Sequence, residues 1–345
     1  MTSITFYGGV NEIGGNKFLL EDQGSRIFLD FGKNFAKEKL FFEDPYITAR
    51  EEKHLLNLGI LPHIEGLYKN DSEEFHLDGV IISHPHLDHY DAIRFIKNSY
   101  PIFCGEDSKD FILAREFSSK SMGDYNIANL TKTRGEEVFK EFRTFKSGSR
   151  CRAGDIEFEA YAVDHSVPGA YGFIIETESG AIAYTGDFRL HGKRRDKTLE
   201  FIEKAREAEP EVLLIEGTHV CECKLESEED VKEKVGKIVS NTRKLVLAGF
   251  ATGDTDRMMT FFEVAKEHER KLALSIKQAY IIELLNKHKE LNLFSLDDEN
   301  VLIFRREKKQ YGKYEKDIQE KYGDKIKSSK EISSMQEEVI LVASL

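Results

Sequence analysis

The chain has 345 residues, of which 40% are hydrophobic, so it is long enough for two domains with buried cores. Its formal net charge of −12 argues against a protein that wraps nucleic acid with its whole surface, while a local basic groove stays compatible with it. Four irregularly spaced cysteines, with no signal pattern and no apolar run of roughly 18 residues, predict a cytoplasmic protein without disulfides or membrane spans.

The first segment predicts a strand, a glycine-rich turn and a hairpin. Residues 2–7 alternate as a strand and run into the glycines of residues 8–15, which mark turns where the backbone passes close to another group. Residues 17–21 and 26–30 are typical of two paired strands, the second ending at Asp30. A carboxylate at a strand end can orient a ligand histidine or form a turn before glycine, and spacing favours neither interpretation.

The next predicted strand, residues 79–82, leads into Ser-His-Pro-His-Leu-Asp-His at positions 83–89. His84 and His86 are two residues apart, so they point the same way in an extended segment. Asp88 and His89 follow one turn later and can face a second point nearby. The pattern indicates two adjacent metal ions held by nitrogen and oxygen ligands, which suits zinc. A polar loop that is rich in histidine by chance is the alternative, and it is the rarer one.

Strands and helices alternate through much of the remaining chain, which is typical of α/β layers. Helices are predicted at residues 90–98 and 108–120, with a strand at 101–104 between them. Residues 227–291 repeat the alternation and predict a small parallel α/β domain.

Two later predicted strands end in further ligand types. His165 follows a strand at residues 160–163, and Asp187 follows a strand at 181–184. Either residue alone would more often be structural, but beside the first motif each is predicted to bind metal. Cys221 and Cys223 form a CxC pair, which is a weak metal signal by itself.

A basic run lies directly beyond Asp187. Residues 189–197 carry five basic side chains against one acid, which suits a phosphate-bearing substrate next to a metal site. A solvated loop explains the same composition equally well.

Three motifs together resemble the metallo-β-lactamase superfamily, namely HxHxDH at 84–89, DHSVPGAYGF at 164–173 and YTGDFRLHG at 184–192. The opening GGVNEIGGN, the Glu216-Gly217-Thr218 segment and the residues from Leu245 onward are similar to its β-CASP branch, which includes the ribonuclease J-like proteins. The resemblance implies an α/β protein with a four-layer αββα fold and an inserted parallel α/β β-CASP domain. We therefore expect a metallo-β-lactamase domain over residues 1–220 and an incomplete β-CASP domain over residues 221–345.

The resemblance also implies roles for single residues. One zinc ion would be held by His84, His86 and His165. A second would be held by Asp88 and His89, with Asp187 bridging the two ions. Asp88, Asp187 and Glu216 are the implied catalytic carboxylates, Glu216 by supporting a ligand histidine from outside. The basic run offers candidate contacts to substrate phosphate from Arg189, His191, Lys193 and Arg194.

The chain departs from the family in its last third. The family supplies further histidines after the inserted domain, including an HxSGH-like segment and a late ligand of the second zinc. Here the later histidines are His219, His268 and His288, and the chain stops at Leu345 after the strand-like residues 339–343. We therefore expect a truncated chain in which the second zinc is weakly held or absent and activity is low.

The implied function is hydrolysis of phosphodiester bonds in RNA, or in single-stranded DNA, by hydroxide that two zinc ions generate from water. Two alternatives keep the same ligands. One is hydrolysis of a small ester or thioester, and the other is a redox or non-catalytic metal-binding protein. We expect no membrane partner, and a homodimer is a further expectation.

Overall fold

The computed structural model shows three β-sheets among the residues that it describes, which are 1–43, 47, 51–119, 127, 140–218 and 226–344. The first sheet has six strands in the order β1 to β6. The first three strands are antiparallel and the last three add in parallel. The strands are β1 (Ser3–Gly8), β2 (Lys17–Asp22), β3 (Ser25–Leu29), β4 (Gly79–Ile81), β5 (Ile102–Gly105) and β6 (Phe142–Phe145).

The second sheet has five strands in the order β11-β10-β9-β8-β7. Its pairs are antiparallel except for β10 with β11, which run in parallel. The strands are β7 (Ser149–Ala153), β8 (Ile156–Ala162), β9 (Tyr171–Glu176), β10 (Ile182–Tyr184) and β11 (Val212–Leu214).

The two sheets pack face to face because their strands alternate. Phe18 and Leu20 of β2 point between the sheets, where they share a core with Phe158 and Phe173 of the second sheet. Leu19, between them in sequence, points to the opposite face of the first sheet. This period of two is what a strand buried on both faces requires, and it sets which residues face the inner core.

Helices cover both outer faces. Leu55 and Tyr90 lie in the core outside the first sheet, and Phe201 packs against Ile174 outside the second. The order of layers is therefore helix, sheet, sheet, helix, which confirms the predicted αββα arrangement. The helices of this part are α1 (Phe35–Glu38), α2 (Glu52–Asn57), α3 (Leu87–Tyr90), α4 (Glu106–Ser118) and α5 (Arg195–Glu207).

The third sheet is wholly parallel, with the order β12-β16-β13-β14-β15, which confirms the predicted parallel α/β unit. Its strands are β12 (Val246–Phe250), β13 (Lys271–Ser275), β14 (Val301–Phe304), β15 (Ile326–Lys327) and β16 (Val339–Ser344). The helices with it are α6 (Glu228–Ser240), α7 (Thr255–Glu267), α8 (Ile276–Leu285), α9 (Lys313–Lys321) and α10 (Ser329–Ser334). Residues of α7 and α8 share a core with its strands, so strand and helix alternate as expected.

The third sheet joins the rest of the molecule through helices. Phe111 and Ala114 of α4 pack with Ile281 and Leu285 of α8, and Val167 completes this small core. Because Val167 is two residues beyond His165, the joint lies directly beside a predicted metal ligand. The predicted boundary at residue 220 falls outside the described residues and stays a prediction.

The predicted helix at residues 90–98 is wrong in its extent. Helical structure begins at Leu87, continues as a 3-10 turn over Asp91–Arg94 and ends there. The N–H of Ala92 donates to the carbonyl of Phe31, and Ile96 pairs with Tyr68 in an isolated bridge. These contacts with other segments replace the hydrogen bonds that would have continued the helix.

Two further expectations can be compared only with the residues that the structure describes. Cys221 and Cys223 lie outside them, as does His219. Among the helices that the structure does describe, none combines the length and apolar character needed to cross a bilayer.

Candidate metal centre

Three segments that follow strands of the two sheets meet at one edge of the pair. Residues 83–89 follow β4 of the first sheet and run into α3, while His165 follows β8 and Asp187 follows β10 of the second sheet. The N–H of Tyr171 donates to the carbonyl of Ser83 at 2.9 Å, which ties the first sheet to the second beside these loops. The layered packing therefore brings together residues that lie up to about a hundred positions apart.

Four of the predicted ligands form one cluster. One ligand atom from each of His84, His86, His165 and Asp187 lies within 4.8 Å of all the others. Nδ1 of His86 is 3.0 Å from Nε2 of His84 and 3.1 Å from Nε2 of His165. Oδ2 of Asp187 is 3.8 Å from Nε2 of His84 and 4.0 Å from Nε2 of His165.

Asp88 and His89 lie next to this cluster, and the ring centroid of His89 is 3.9 Å from that of His84. Nε2 of His89 is 3.3 Å from Oδ1 of Asp187 and 3.7 Å from Oδ2 of Asp88. The two oxygens of Asp187 thus face different groups of predicted ligands, which is the arrangement that a bridging carboxylate needs.

Asp30 supports the centre from behind. Its side chain accepts hydrogen bonds from the N–H and the hydroxyl of Ser83, both at 2.7 Å, and from the hydroxyl of Tyr184 at 2.5 Å. Oδ2 of Asp30 also lies 2.7 Å from Nδ1 of His89. The residue is fully buried and has a φ of +57°, so the turn at the end of β3 directs its carboxylate inward. Of the two interpretations of Asp30, the structure supports the one in which it orients a histidine.

The glycines around the motif mark close contacts with it. A Cβ on Gly32 would lie 1.6 Å from the carbonyl oxygen of Asp88, and one on Gly14 would lie 2.9 Å from Cβ of Asp88. Two other contacts carried no sequence signal, namely the amide of Asn16, whose Nδ2 lies 2.9 Å from Nε2 of His89, and the hydroxyl of Tyr184 on Asp30. Both depend on how separate strands pack, so spacing along the chain does not reveal them.

Burial decides the protonation of the histidine cluster. It holds the pKa of His84 and His165 well below the ordinary value, and it lowers the pKa of His86 to about 4. These three rings are therefore neutral at pH 7. Burial opposes charge on His89 as well, but Asp187 and Asp30 outweigh it and raise its pKa well above the ordinary value. Burial disfavours ionised Asp187, yet His89 and then His165 and His86 hold its pKa far below its usual range.

The donor set suits a metal ion. Neutral imidazole nitrogens and ionised carboxylates are the forms that bind zinc, and they are the forms that burial and neighbouring charge favour for His84, His86, His165 and Asp187. Tetrahedral zinc with bonds of about 2.0–2.1 Å has neighbouring ligand atoms about 3.4 Å apart. The ring nitrogens here are 3.0 and 3.1 Å apart, so a small adjustment of the rings would admit an ion. That these residues bind metal stays a prediction.

Glu216 lies at the edge of the centre. It lines a cavity of about 610 Å³ together with Asp88, His89 and Asp187. Its Oε2 accepts a hydrogen bond from the N–H of Thr218 at 2.7 Å, within its own loop. Its predicted support of a ligand histidine therefore remains a prediction.

The basic run after Asp187 is held by carboxylates. Arg189 pairs with Asp164 at 3.3 Å and also with Asp256 at the start of α7. Arg194 lies 3.2 Å from Asp256.

Two further contacts complete this arrangement. Lys193 lies 2.8 Å from Glu263, and the guanidinium of Arg194 donates to the carbonyl of His165 at 3.0 Å. The run therefore joins a predicted ligand loop to the third sheet. The proposed phosphate contacts of Arg189, Lys193 and Arg194 stay predictions. That of His191 stays a prediction as well; its backbone carbonyl accepts a hydrogen bond from the N–H of Glu228.

The later histidines that the structure describes take no part in the centre. His268 caps the C-terminal end of α7, and His288 lies 2.5 Å from Asp110 of α4.

Comparisons with known proteins give a family match and several relatives. A model of the β-lactamase superfamily domain matches residues 68–240. Ribonuclease J of Mycoplasma genitalium is 24% identical over 311 residues, which are 88% of this chain and 48% of that protein. Ribonuclease J 2 of Streptococcus pyogenes is 23% identical over 302 residues, or 86% of this chain and 49% of that protein. The chain thus spans about half the length of these curated relatives.

A solved structure matches almost the whole fold. The crystal structure of a protein of unknown function from Enterococcus faecalis has a TM-score of 0.72 and 23% identity, and the match covers 99% of this chain and 77% of that one. At this level of identity the likeness concerns the fold.

Proposed function

Because this chain belongs to the metallo-β-lactamase superfamily, we propose that it is a metal-dependent hydrolase that cleaves phosphodiester bonds of RNA. The superfamily supports hydrolysis, and the ribonuclease J relatives support RNA as the substrate. The proposal covers the activity of the protein as a whole, since the chain spans about half of those relatives.

One observation carries the proposal. His84, His86, His165 and Asp187 converge to within 4.8 Å from three separate loops. Burial keeps the three rings neutral with their nitrogens facing one another, and a cation would satisfy their converging lone pairs. We infer that His84, His86 and His165 would hold one zinc ion. Asp88 and His89 would hold a second once His89 has lost its proton, with Asp187 shared by the two sets.

Zinc bound by such ligands supplies a Lewis acid for the phosphoryl oxygens and lowers the pKa of water to about 7. The protein's own groups orient the reaction. Asp30 holds the ring of His89 through Nδ1, so that Nε2 faces Asp187.

Asp88 lines the open cavity beside the centre, and burial raises the pKa of its carboxyl. An Oδ atom of Asp88 can therefore accept a hydrogen bond from an attacking water and position it. Glu216 lines the same cavity and is proposed to support the outer side of the site.

Metal content tests the ligand assignment. We expect purified wild-type protein to bind zinc and His86→Ala to lose most of it, because His86 lies between the two other histidines of the cluster. His76→Ala is the matched control, since that ring is exposed and pairs with Asp78. Zinc retained at the wild-type ratio by His86→Ala, measured by inductively coupled plasma mass spectrometry, would contradict the assignment.

Cleavage assays test the substrate. Zinc-loaded protein is expected to cut a single-stranded RNA that carries a fluorophore and a quencher, and chelation of the metal is expected to stop the reaction. The same protein is then tested with DNA of the same sequence and with a panel of esters and thioesters. Turnover of esters or thioesters without RNA cleavage would replace the ribonuclease proposal with the alternative hydrolase.

A further inference from the structure

His165 lies in a loop whose backbone is held by the basic run. Asp164, directly before it, is fully buried. The carboxylate of Asp164 accepts a hydrogen bond from the N–H of Gly192 at 2.8 Å and pairs with Nε of Arg189 at 3.3 Å. The carbonyl of His165 itself accepts a hydrogen bond from Nη2 of Arg194 at 3.0 Å. Side chains and backbone of the run therefore restrain both residues at the point where the chain presents this imidazole to the candidate metal centre.

The basic run is held in turn by one buried carboxylate of α7. Nη2 of Arg194, the atom that donates to the carbonyl of His165, lies 3.2 Å from Oδ1 of Asp256. Oδ2 of Asp256 pairs with the guanidinium of Arg189 and lies 3.4 Å from the backbone nitrogen of Lys193. Both carboxylate oxygens are thus engaged with the run. A single guanidinium nitrogen therefore connects Asp256 to the backbone of a candidate metal ligand.

The position of Asp256 is set by the third sheet. Asp256 lies in the first turn of α7, and Met258 and Phe262 of the same helix pack in the core of that sheet. Where Asp256 lies relative to the metal centre therefore depends on how the third sheet docks against the paired sheets. Hydrogen bonds between charged groups are strong and directional when they are buried. A displacement of α7 would consequently be felt at Arg194.

A second contact between the third sheet and the same loop is apolar. Val167 packs with Ile281 and Leu285 of α8, a helix that shares the core of the third sheet. Apolar packing is not directional, so this contact sets where the loop lies but not how each peptide group is turned. The hydrogen bond from Arg194 is directional, and it fixes the carbonyl of His165.

We propose that Asp256 and Arg194 couple the docking of the third sheet to the zinc affinity of the metal centre. Asp256 holds Nη2 of Arg194, and Arg194 holds the carbonyl of His165, which keeps the ring of His165 beside that of His86. Asp256 and Arg194 are positioning residues, because they act through the backbone of His165. The inference rests on the proposed function, since it concerns the regulation of the same metal centre. Such coupling is reciprocal, so bound zinc also stabilises the docked position of the third sheet.

Zinc affinity of the full chain tests this coupling without any substrate. The affinity for the first equivalent of zinc is measured by competition with a chromophoric chelator, at a temperature where circular dichroism shows the variants to be folded. The variants are Arg194→Gln, Arg194→Lys, Asp256→Asn and the double variant that combines Arg194→Gln with Asp256→Asn. Glu263→Gln is the matched control, because Glu263 is another carboxylate of α7 that pairs with the run, at Lys193.

Arg194→Gln and Asp256→Asn are each expected to weaken zinc binding about tenfold, the lower end of what groups behind a metal ligand contribute. The double variant should also lose about tenfold, and not about a hundredfold, because both changes break the same link. Arg194→Lys should recover part of the loss, since an ammonium group can still lie between Asp256 and the carbonyl of His165. Glu263→Gln should match wild type.

Wild-type zinc affinity in both single variants would overturn the coupling, as would an equal loss in Glu263→Gln, additive losses in the double variant or no zinc binding by the wild type. If Asp256→Asn does not fold, the comparison of Arg194→Gln with Arg194→Lys and Glu263→Gln decides.

These outcomes are distinguishable from failure of the proposed function. A protein that shows the expected zinc affinities but cuts no RNA when loaded with zinc would keep the coupling and refute the nuclease. A protein that cuts RNA with zinc, and binds zinc equally well in all variants, would do the reverse.

Discussion

Oδ2 of Asp30 lies 2.7 Å from Nδ1 of His89, although the two residues are 59 positions apart in the chain. Asp30 directly follows β3, and His89 belongs to the short helix after β4, the parallel neighbour of β3. The pairing leaves Nε2 of His89 directed at Asp187. A carboxylate behind a ligand histidine fixes the orientation of the ring and raises its basicity.

Replacement of Asp30 by asparagine tests this support. Asp30→Asn keeps the shape of the side chain but removes the charge that faces His89, so we expect zinc affinity to fall by about 10- to 100-fold. Competition with a chromophoric chelator measures the affinity. Asp78→Asn is the control, because Asp78 accepts from the N–H of Arg26 at 2.8 Å away from the centre. Equal affinities of wild type and Asp30→Asn would show that Asp30 does not act through His89.

We expect Asp256 to contribute more to the free energy of unfolding than an exposed carboxylate would. It is 4% exposed and contacts both Arg189 and Arg194, the second of which also donates to the carbonyl of His165. Asp256→Asn should lower the free energy of unfolding by about 2–3 kcal/mol, because it leaves the partly buried guanidinium of Arg194 without its charged partner, whereas Arg189 keeps Asp164.

Chemical denaturation measures this loss, and Glu263→Gln is its control. Glu263 pairs with Lys193 and Lys232 at a more exposed position, so its loss should cost less than about 1 kcal/mol. Similar losses in the two variants would contradict the importance given to the Asp256 contacts.

Lys17 should make stability depend on pH. Its ammonium group is buried, donates to the carbonyls of Gly15 and Gly32, and has a pKa that burial lowers to about 7. Lys37 lowers this pKa further, while Glu12 and Glu38 oppose the shift. The folded-state pKa is thus below the unfolded value, so the unfolded chain binds more protons between about pH 7 and 10.5.

The direction of the pH dependence follows from this difference in proton binding between the folded and unfolded chain. The contribution of Lys17 to the free energy of unfolding should rise with pH by up to about 1.4 kcal/mol per pH unit in this window, and should be constant below it. Lys17→Met should remove this part of the rise, whereas Lys237→Met, at an exposed position, should not. Unfolding measured at pH 7.5 and 9.5 compares the three proteins, and parallel changes in wild type and Lys17→Met would refute the prediction.

Patterns within single segments predicted most of the architecture. Residues 17–21 were predicted as a strand, and the structure divides its apolar residues Phe18, Leu19 and Leu20 between two cores. The alternation of strands and helices from residue 227 predicted the parallel third sheet, because this order requires crossovers through helices. Patterns of this kind are local, so they can be recognised without knowing what packs against the segment. The helix predicted at residues 90–98 was wrong because bonds to Phe31 and Tyr68 interrupt it.

For the candidate site, residue types and their spacing within short segments were again informative. The spacing of His84, His86, Asp88 and His89 was enough to predict a metal loop. The places of His165 and Asp187 directly after later predicted strands added these two residues, and the resemblance then implied their roles. The structure brings the members of this set together. The basic run was an ambiguous signal because its partners, Asp164, Asp256 and Glu263, lie outside it in sequence.

The sequence by itself determined the alternation of strands and helices and the identity of the candidate ligands, because these depend on periodicity and on residue chemistry within short segments, while the four-layer order was implied by the family resemblance. Only the tertiary structure decided which distant groups meet them. It placed Asp30 beside His89 and paired the basic run with Asp256 of α7. These contacts depend on how sheets and helices that are far apart in sequence pack together. The spacing of residues along the chain does not indicate that packing.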